Sequence, residues 1–150
     1  MSSMNLFCCL LGAAVIFLFA CSDSSTNPDN TLSLQDTVWM LDTFKMNGEE
    51  PEKVPENQVY WINFLSDTTV AEIRADCNTG KVTYIVSDGP VDGGISIELI
   101  YITEVGCGPE SIHGWFLIGL LDASYYRITD NELSIYNEDE PEKLNFIPKP

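Results

Sequence analysis

The chain has 150 residues, with 23 acidic and seven basic side chains, a formal net charge of −16 and a pI near 4.1. A balance this acidic excludes action through a basic patch, whether on nucleic-acid backbones or on anionic lipid head groups. It reads instead as a solvated surface that keeps a domain soluble.

Leu6 to Ala20 is almost wholly apolar, the length of a signal-peptide core and short for a membrane span. Ser22 to Asn30 then turns polar at once, as a tether should. The run closes on Leu18-Phe19-Ala20-Cys21, which resembles the lipobox of bacterial lipoprotein precursors. The resemblance implies a signal peptide over residues 1–20, a diacylated Cys21 at the mature N-terminus and a tether over 21–33. It also implies one membrane partner, reached through the lipid. No Lys or Arg precedes the apolar run, and Phe19 is bulkier than usual at that lipobox position. An uncut anchor and ordinary secretion are the alternatives, but the cysteine sits where the apolar run ends. Ser22 replaces the aspartate that retains some lipoproteins at the inner membrane, so the outer membrane is the expected site. About 120 residues remain beyond the tether, enough for one domain with its own core, here 34–150.

Two of the five cysteines, Cys8 and Cys9, fall in the removed segment, and Cys21 is committed to lipid. Cys77 and Cys107 are left in the folded domain. In an oxidising compartment they are candidates for one disulfide. The alternative is a pair of buried free thiols. Neither has a CxxC partner or a neighbouring base to make it reactive.

From Thr37 onward the chain reads as short strands between turns. Thr37 to Lys45 is β-prone, and Glu49 to Asn57, with two prolines and four glutamates, is a polar loop. Val59 to Leu65 is β-branched and aromatic, and Ser66-Asp67 turns it into Thr68 to Ala75. Asp76 to Gly80 is turn chemistry, in which Asn and Gly tolerate positive φ. Lys81 to Val86 and Ile95 to Thr103 are strands flanking the turn Asp88 to Gly94.

The period then changes. Pro109 and Glu110 suit a first helical turn, and Ile112 to Leu121 carries apolar residues at helical spacing. Ile112, Trp115, Phe116, Gly119 and Leu120 share one face; Leu117, Ile118 and Leu121 broaden it, implying burial on more than one side. Tyr125 to Ile128, Leu133 to Tyr136 and Leu144 to Ile147 complete the strands, with Thr129-Asp130-Asn131 as a turn. The expected fold class is α+β, mostly β: a small antiparallel cracked barrel of about seven or eight strands, with one helix packed across the gap.

Asp76-Cys77-Asn78-Thr79-Gly80 followed by Tyr84 is similar to the GCN…G.Y signature of META domains, the family of HslJ-like lipoproteins. Trp39-x-Leu41 and Ile62-Asn63-Phe64 lie ahead of it; Thr103-Glu104-Val105-Gly106-Cys107, Tyr126-x-Ile128, Asn131-x-Leu133 and Leu144-x-Phe146 follow in family order. The resemblance spans Leu34 to Ile147. It implies a cracked barrel in the cell envelope, associated with stress and antibiotic tolerance rather than catalysis. Asp76 stands where the family usually carries Gly.

Chemistry finds little support in the residues, and no catalytic residue or cofactor is expected. The only histidine, His113, has no sequence-local nucleophile partner and reads as solvent-facing or capping. Asp88-x-x-x-Asp92-Gly93 and Glu138-Asp139-Glu140-x-Glu142 lack the alternating spacing of a calcium loop, and no metal site is expected. Binding is the better reading. Trp115, Ile118 and Leu121 extend the helix's apolar surface and would accept an acyl chain, an apolar peptide or an envelope protein. The alternative is that they plug the barrel.

Overall fold

The computed structural model describes residues 32–46, 49–139 and 143–150. The signal segment, the lipobox with Cys21, and the tether as far as Thr31 lie outside the described residues. The packed chain reaches back to Leu32, two residues before the expected domain start, because Leu32 rests on the core and Leu34 is buried in it.

The described elements are β1 (Val38–Lys45), β2 (Glu52–Lys53), β3 (Tyr60–Phe64), β4 (Val70–Ala75), β5 (Asn78–Val86), β6 (Asp92–Ile102), α1 (His113–Leu121), β7 (Tyr125–Thr129), β8 (Glu132–Tyr136) and β9 (Lys143–Pro148). All strand pairings between these elements are antiparallel, and β1 closes the sheet by pairing β3 on one edge and β9 on the other. The result is an eight-stranded barrel. The two-residue β2 continues β3's side of β1, so the polar stretch expected to be loop contributes a short strand.

The barrel core follows from alternation. Tyr60, Ile62 and Phe64 on β3, Ala71, Ile73 and Ala75 on β4, and Leu133 and Ile135 on β8 all turn inward. Two strands break the period, each at a bulge. In β1 the register shifts between Leu41 and Thr43, so Phe44 rather than Thr43 follows Trp39 and Leu41 into the interior. In β6, Leu99 faces Val82 and Tyr101 faces Lys81, leaving Ile100 as the extra residue. Leu99, Ile100 and Tyr101 are all exposed.

Turns are set by short polar residues. Among the described residues, the non-glycine ones with positive φ are Asp36, Asp67, Asp76, Asp88, Asp130 and Asn131, types whose compact side chains tolerate that region best. Asp130 and Asn131 together form the two-residue connection between β7 and β8, the left-handed pair that matches strand twist. The turn expected over Asp76 to Gly80 is shorter: only Asp76 and Cys77 lie outside strands, and the positive φ of 60° belongs to Asp76 rather than to Asn78 or Gly80.

β6 pairs with β7 only through Asp92, Gly93 and Gly94, and its remaining length outruns that partner. Helix α1 lies across this gap, touching β6 and β4 on one side and β8 and β9 on the other. It begins at His113, after a turn at Pro109 and Glu110 that the sequence suggested would already be helical. Phe116, Gly119 and Leu120 face inward; Phe116 stacks 5.2 Å from Tyr60 and 6.4 Å from Phe146. Burying one such aromatic stabilises the fold by about 2–3 kcal/mol. The expected face was therefore too wide. Trp115 and Ile118 are 46% and 45% exposed, and Ile112 is only partly buried.

Candidate binding surfaces

The residues of the Asp76–Tyr84 segment divide between the two ends of β5. At its start, Cys77 is disulfide-bonded to Cys107 with a Cα–Cα distance of 5.6 Å, joining the β4–β5 turn to the segment after β6. Asn78, 3% exposed, completes the junction. Its amide nitrogen donates to the Val105 carbonyl at 3.1 Å and reaches Cys107 Sγ at 3.3 Å. Its amide oxygen accepts the Val105 N–H at 2.7 Å and the Thr103 hydroxyl at 3.1 Å. Thr103 Oγ1 in turn accepts the Thr79 N–H at 3.0 Å. A buried side-chain amide with all its bonding capacity used holds a segment that lies outside the strands.

Gly80 fits the same junction for a steric reason. A Cβ there would lie 2.3 Å from the Tyr101 carbonyl oxygen, because the β6 bulge brings that backbone close. At the far end of β5, Tyr84 accepts the Gln35 amide at 2.7 Å, and its hydroxyl lies 3.2 and 3.3 Å from the Thr68 and Leu65 carbonyls. It also stacks edge-on against Phe64 at 4.9 Å. All these contacts lie within the domain, and they position backbone.

A second polar junction, which sequence reasoning missed, fixes the approach to α1. Gln58 is buried; it donates to the Glu110 carbonyl at 2.8 Å and accepts the Tyr60 hydroxyl at 2.7 Å. The Tyr60 oxygen also meets the Ile112 N–H at 3.0 Å and Ser111 Oγ at 3.2 Å. Burial raises the pKa of Tyr60 above the ordinary phenol value, partly offset by the Ser111 hydrogen bond; the Asp76 charge adds to the rise. A glutamine just ahead of a β-branched, aromatic run was the available clue.

Of the three helix residues expected to offer an apolar surface, Trp115 and Ile118 are exposed on α1, whereas Leu121 is partly buried against the core. Two grooves flank the start of the helix. One, of about 410 Å³, lies between α1 and the segment after β6, lined in part by Ile102, Thr103, Val105, His113 and Leu117. His113 therefore does not simply face solvent: its Nδ1 is buried, with no hydrogen-bond partner among the described residues. The other groove, of about 320 Å³, lies towards β1 and β2, with Trp115 on its wall. A further groove of about 350 Å³ sits at the far end of β5, between Leu34, Tyr84 and Tyr126.

Among the described residues no three His, Cys, Asp or Glu side chains are grouped to hold a metal ion, and no helix is long and apolar enough to cross a membrane. No protein-family model matches the chain and no curated protein matches its sequence. The fold is similar to the NMR structure of a protein from Burkholderia xenovorans, with a TM-score of 0.59 over 77% of this chain and 83% of that chain. At 19% identity this likeness speaks for the barrel-and-helix fold alone.

Proposed function

We propose that the chain is a lipid-anchored envelope protein, held by Cys21 and favouring the outer membrane, whose META/HslJ-like domain is a non-catalytic binding module. Its role is scaffolding or binding in envelope homeostasis, exercised through the outer surface of α1. The observation that carries this reading is the filled barrel beneath an apolar helix face. Trp39, Tyr60, Phe64, Phe116, Tyr126 and Phe146 are fully buried inside, while Trp115 and Ile118 stay in solvent. Exposed apolar side chains side by side on a helix mark an interaction surface when the core has no room for them.

Family membership draws support from Asp76. The position that is usually Gly in META domains adopts the left-handed φ at which Gly is unstrained, and Asp is among the residue types that tolerate it. The roles of Asn78, Gly80 and Tyr84 as backbone anchors give a physical reason for such a signature. A second reading, carriage of a small hydrophobic ligand, is favoured by the groove between α1 and the segment after β6, where Ile102, Val105 and Leu117 are apolar.

Metabolic labelling with palmitate of the full chain expressed in a Gram-negative bacterium tests the anchor. Label on the wild-type chain and none on Cys21→Ser is the expected result, and an unlabelled wild type would remove it. Native mass spectrometry of the purified chain then separates the two modes of binding. A reproducible lipid-mass adduct lost on Leu117→Asp would make it a carrier; a clean mass favours the surface reading.

A further inference from the structure

The groove between β1, β2 and the start of α1 combines an apolar floor with an acidic rim. Phe44 and Met46 are buried at its base, Ile112 and the Trp115 indole form its helix side, and Glu49, Glu50 and Glu52 complete the lining. The register places Glu52 opposite Phe44, and residues directly opposed in an antiparallel pair project to the same face. The Glu52 carboxylate therefore rises from the same side as the aromatic floor. The Glu49 N–H donates to the Met46 carbonyl at 2.9 Å, folding the chain back over the end of β1.

The cation next to Glu52 in the chain does not neutralise this rim. Lys53 follows Glu52 and so projects to the opposite face, where its ammonium is held by Asp42 at 2.7 Å. The ion pairs among the described residues are Lys53 with Asp42 and Lys81 with Glu72, and neither involves the three glutamates. Nor are the carboxylates grouped as metal ligands. Carboxylates spread around an apolar floor, with an indole face beside them, suit an organic cation carried on an apolar stem.

We propose that this groove seats an arginine or lysine side chain from a basic, amphipathic segment of a partner polypeptide, with a neighbouring apolar residue resting on Ile118. Charge complementarity supplies the cation, and the helix supplies the second contact. Trp115 and Ile118, three residues apart, share one flank of α1, so apolar surface continues out of the groove. A lone amine would fill the groove and leave Ile118 uncovered. The inference rests on the reading of this domain as a binding module and names the chemistry of its partner.

The test is an NMR titration of the full chain carrying Cys21→Ser in nonionic detergent, following the Trp115 indole N–H. The probes are acetyl-Leu-Arg-Leu-Arg-amide, the same peptide with citrulline for arginine, and butylguanidinium. The arginine peptide is expected to give a saturable shift. Affinity should fall about tenfold or more for the citrulline peptide, and likewise when Glu49→Gln, Glu50→Gln and Glu52→Gln are combined. Those glutamates are exposed, so an unchanged melting curve will show that the triple variant is folded. Ile118→Ser should weaken the peptide and leave butylguanidinium unaffected.

No saturable shift, equal binding of the citrulline peptide, or indifference to the triple substitution would overturn the proposal. Butylguanidinium binding as tightly as the peptide would overturn the polypeptide assignment. Peptide failure alongside intact Cys21 labelling removes this inference and leaves the lipid anchor standing; loss of labelling with peptide binding retained removes the anchor and leaves the binding module and this inference standing.

Discussion

Single residues in this domain act mainly by fixing backbone. Asn78 is the strongest case: removing its side chain takes away four contacts to the segment after β6, among them the acceptor of the Val105 N–H and of the Thr103 hydroxyl. Asn78→Ala is expected to cost about 2–4 kcal/mol in chemical denaturation and to raise hydrogen exchange at the Val105 amide. Gly80→Ala should cost about 1–3 kcal/mol by pushing on the Tyr101 carbonyl, with the loss visible in thermal melts. Tyr60 makes a pH prediction. Its folded-state pKa is raised above 10.0, chiefly by burial, so the folded state holds the phenolic proton more tightly than the unfolded chain does. That contribution is fully present below pH 10 and is lost as pH rises through the unfolded value towards the folded one. Urea midpoints measured from neutral pH to pH 11 should therefore fall, and Tyr60→Phe, though less stable at neutral pH, should show a shallower alkaline decline. Tyr126 and Tyr136, also raised by burial, will keep some slope in that variant.

At the scale of elements, the disulfide and the helix do different work. The Cys77–Cys107 bond closes a loop with a sequence separation of 30, so its removal is expected to destabilise the domain by about 3–4 kcal/mol in the chain-entropy model. Denaturation of Cys77→Ala/Cys107→Ala against the oxidised wild type measures this, and alkylation of Cys77 and Cys107 themselves in the unreduced chain, read by peptide mass mapping, would contradict the bond. Helix α1 presents a graded set of positions. Phe116→Ala should cost about 3–5 kcal/mol, whereas Ile118→Ser should cost much less because Ile118 is 45% exposed and Phe116 is fully buried. Most of these elements were legible in the sequence, since alternation in β3, β4, β7 and β8 and the change of period at the helix are local patterns. The two bulges were not. Whether Thr43 or Phe44 turns inward depends on how β1 lies against β9, about a hundred residues away in the chain. Which apolar residues of α1 stay outside was undecided for a related reason. Trp115 and Phe116 are equally apolar, and only the position of the gap decides which of them is covered.

For the whole molecule, order along the chain and closure of the barrel agree closely with what the strand pattern suggested, because nearly every strand pairs with its sequence neighbour and only β1 with β9 joins distant segments. The candidate site was less accessible. Trp115 and Ile118 could be picked out as apolar residues in excess of one face, but the acidic groove draws on β1, β2 and α1 together, and no local spacing connects Glu52 with Trp115. The long β6 carries a consequence for behaviour at high concentration. Beyond Gly94 it has left its β7 partner, and Leu99, Ile100 and Tyr101 lie bare along it. An apolar stretch on a partly open strand invites another copy of the chain to pair with it. The formal charge of −16 opposes that encounter at neutral pH, and the opposition fades as the solution approaches the isoelectric point near 4.1. Light scattering across that range should show self-association rising on acidification, and Ile100→Lys should suppress it. The acidic composition with which the chain first presents itself then acts as a colloidal guard for a strand the fold leaves unfinished.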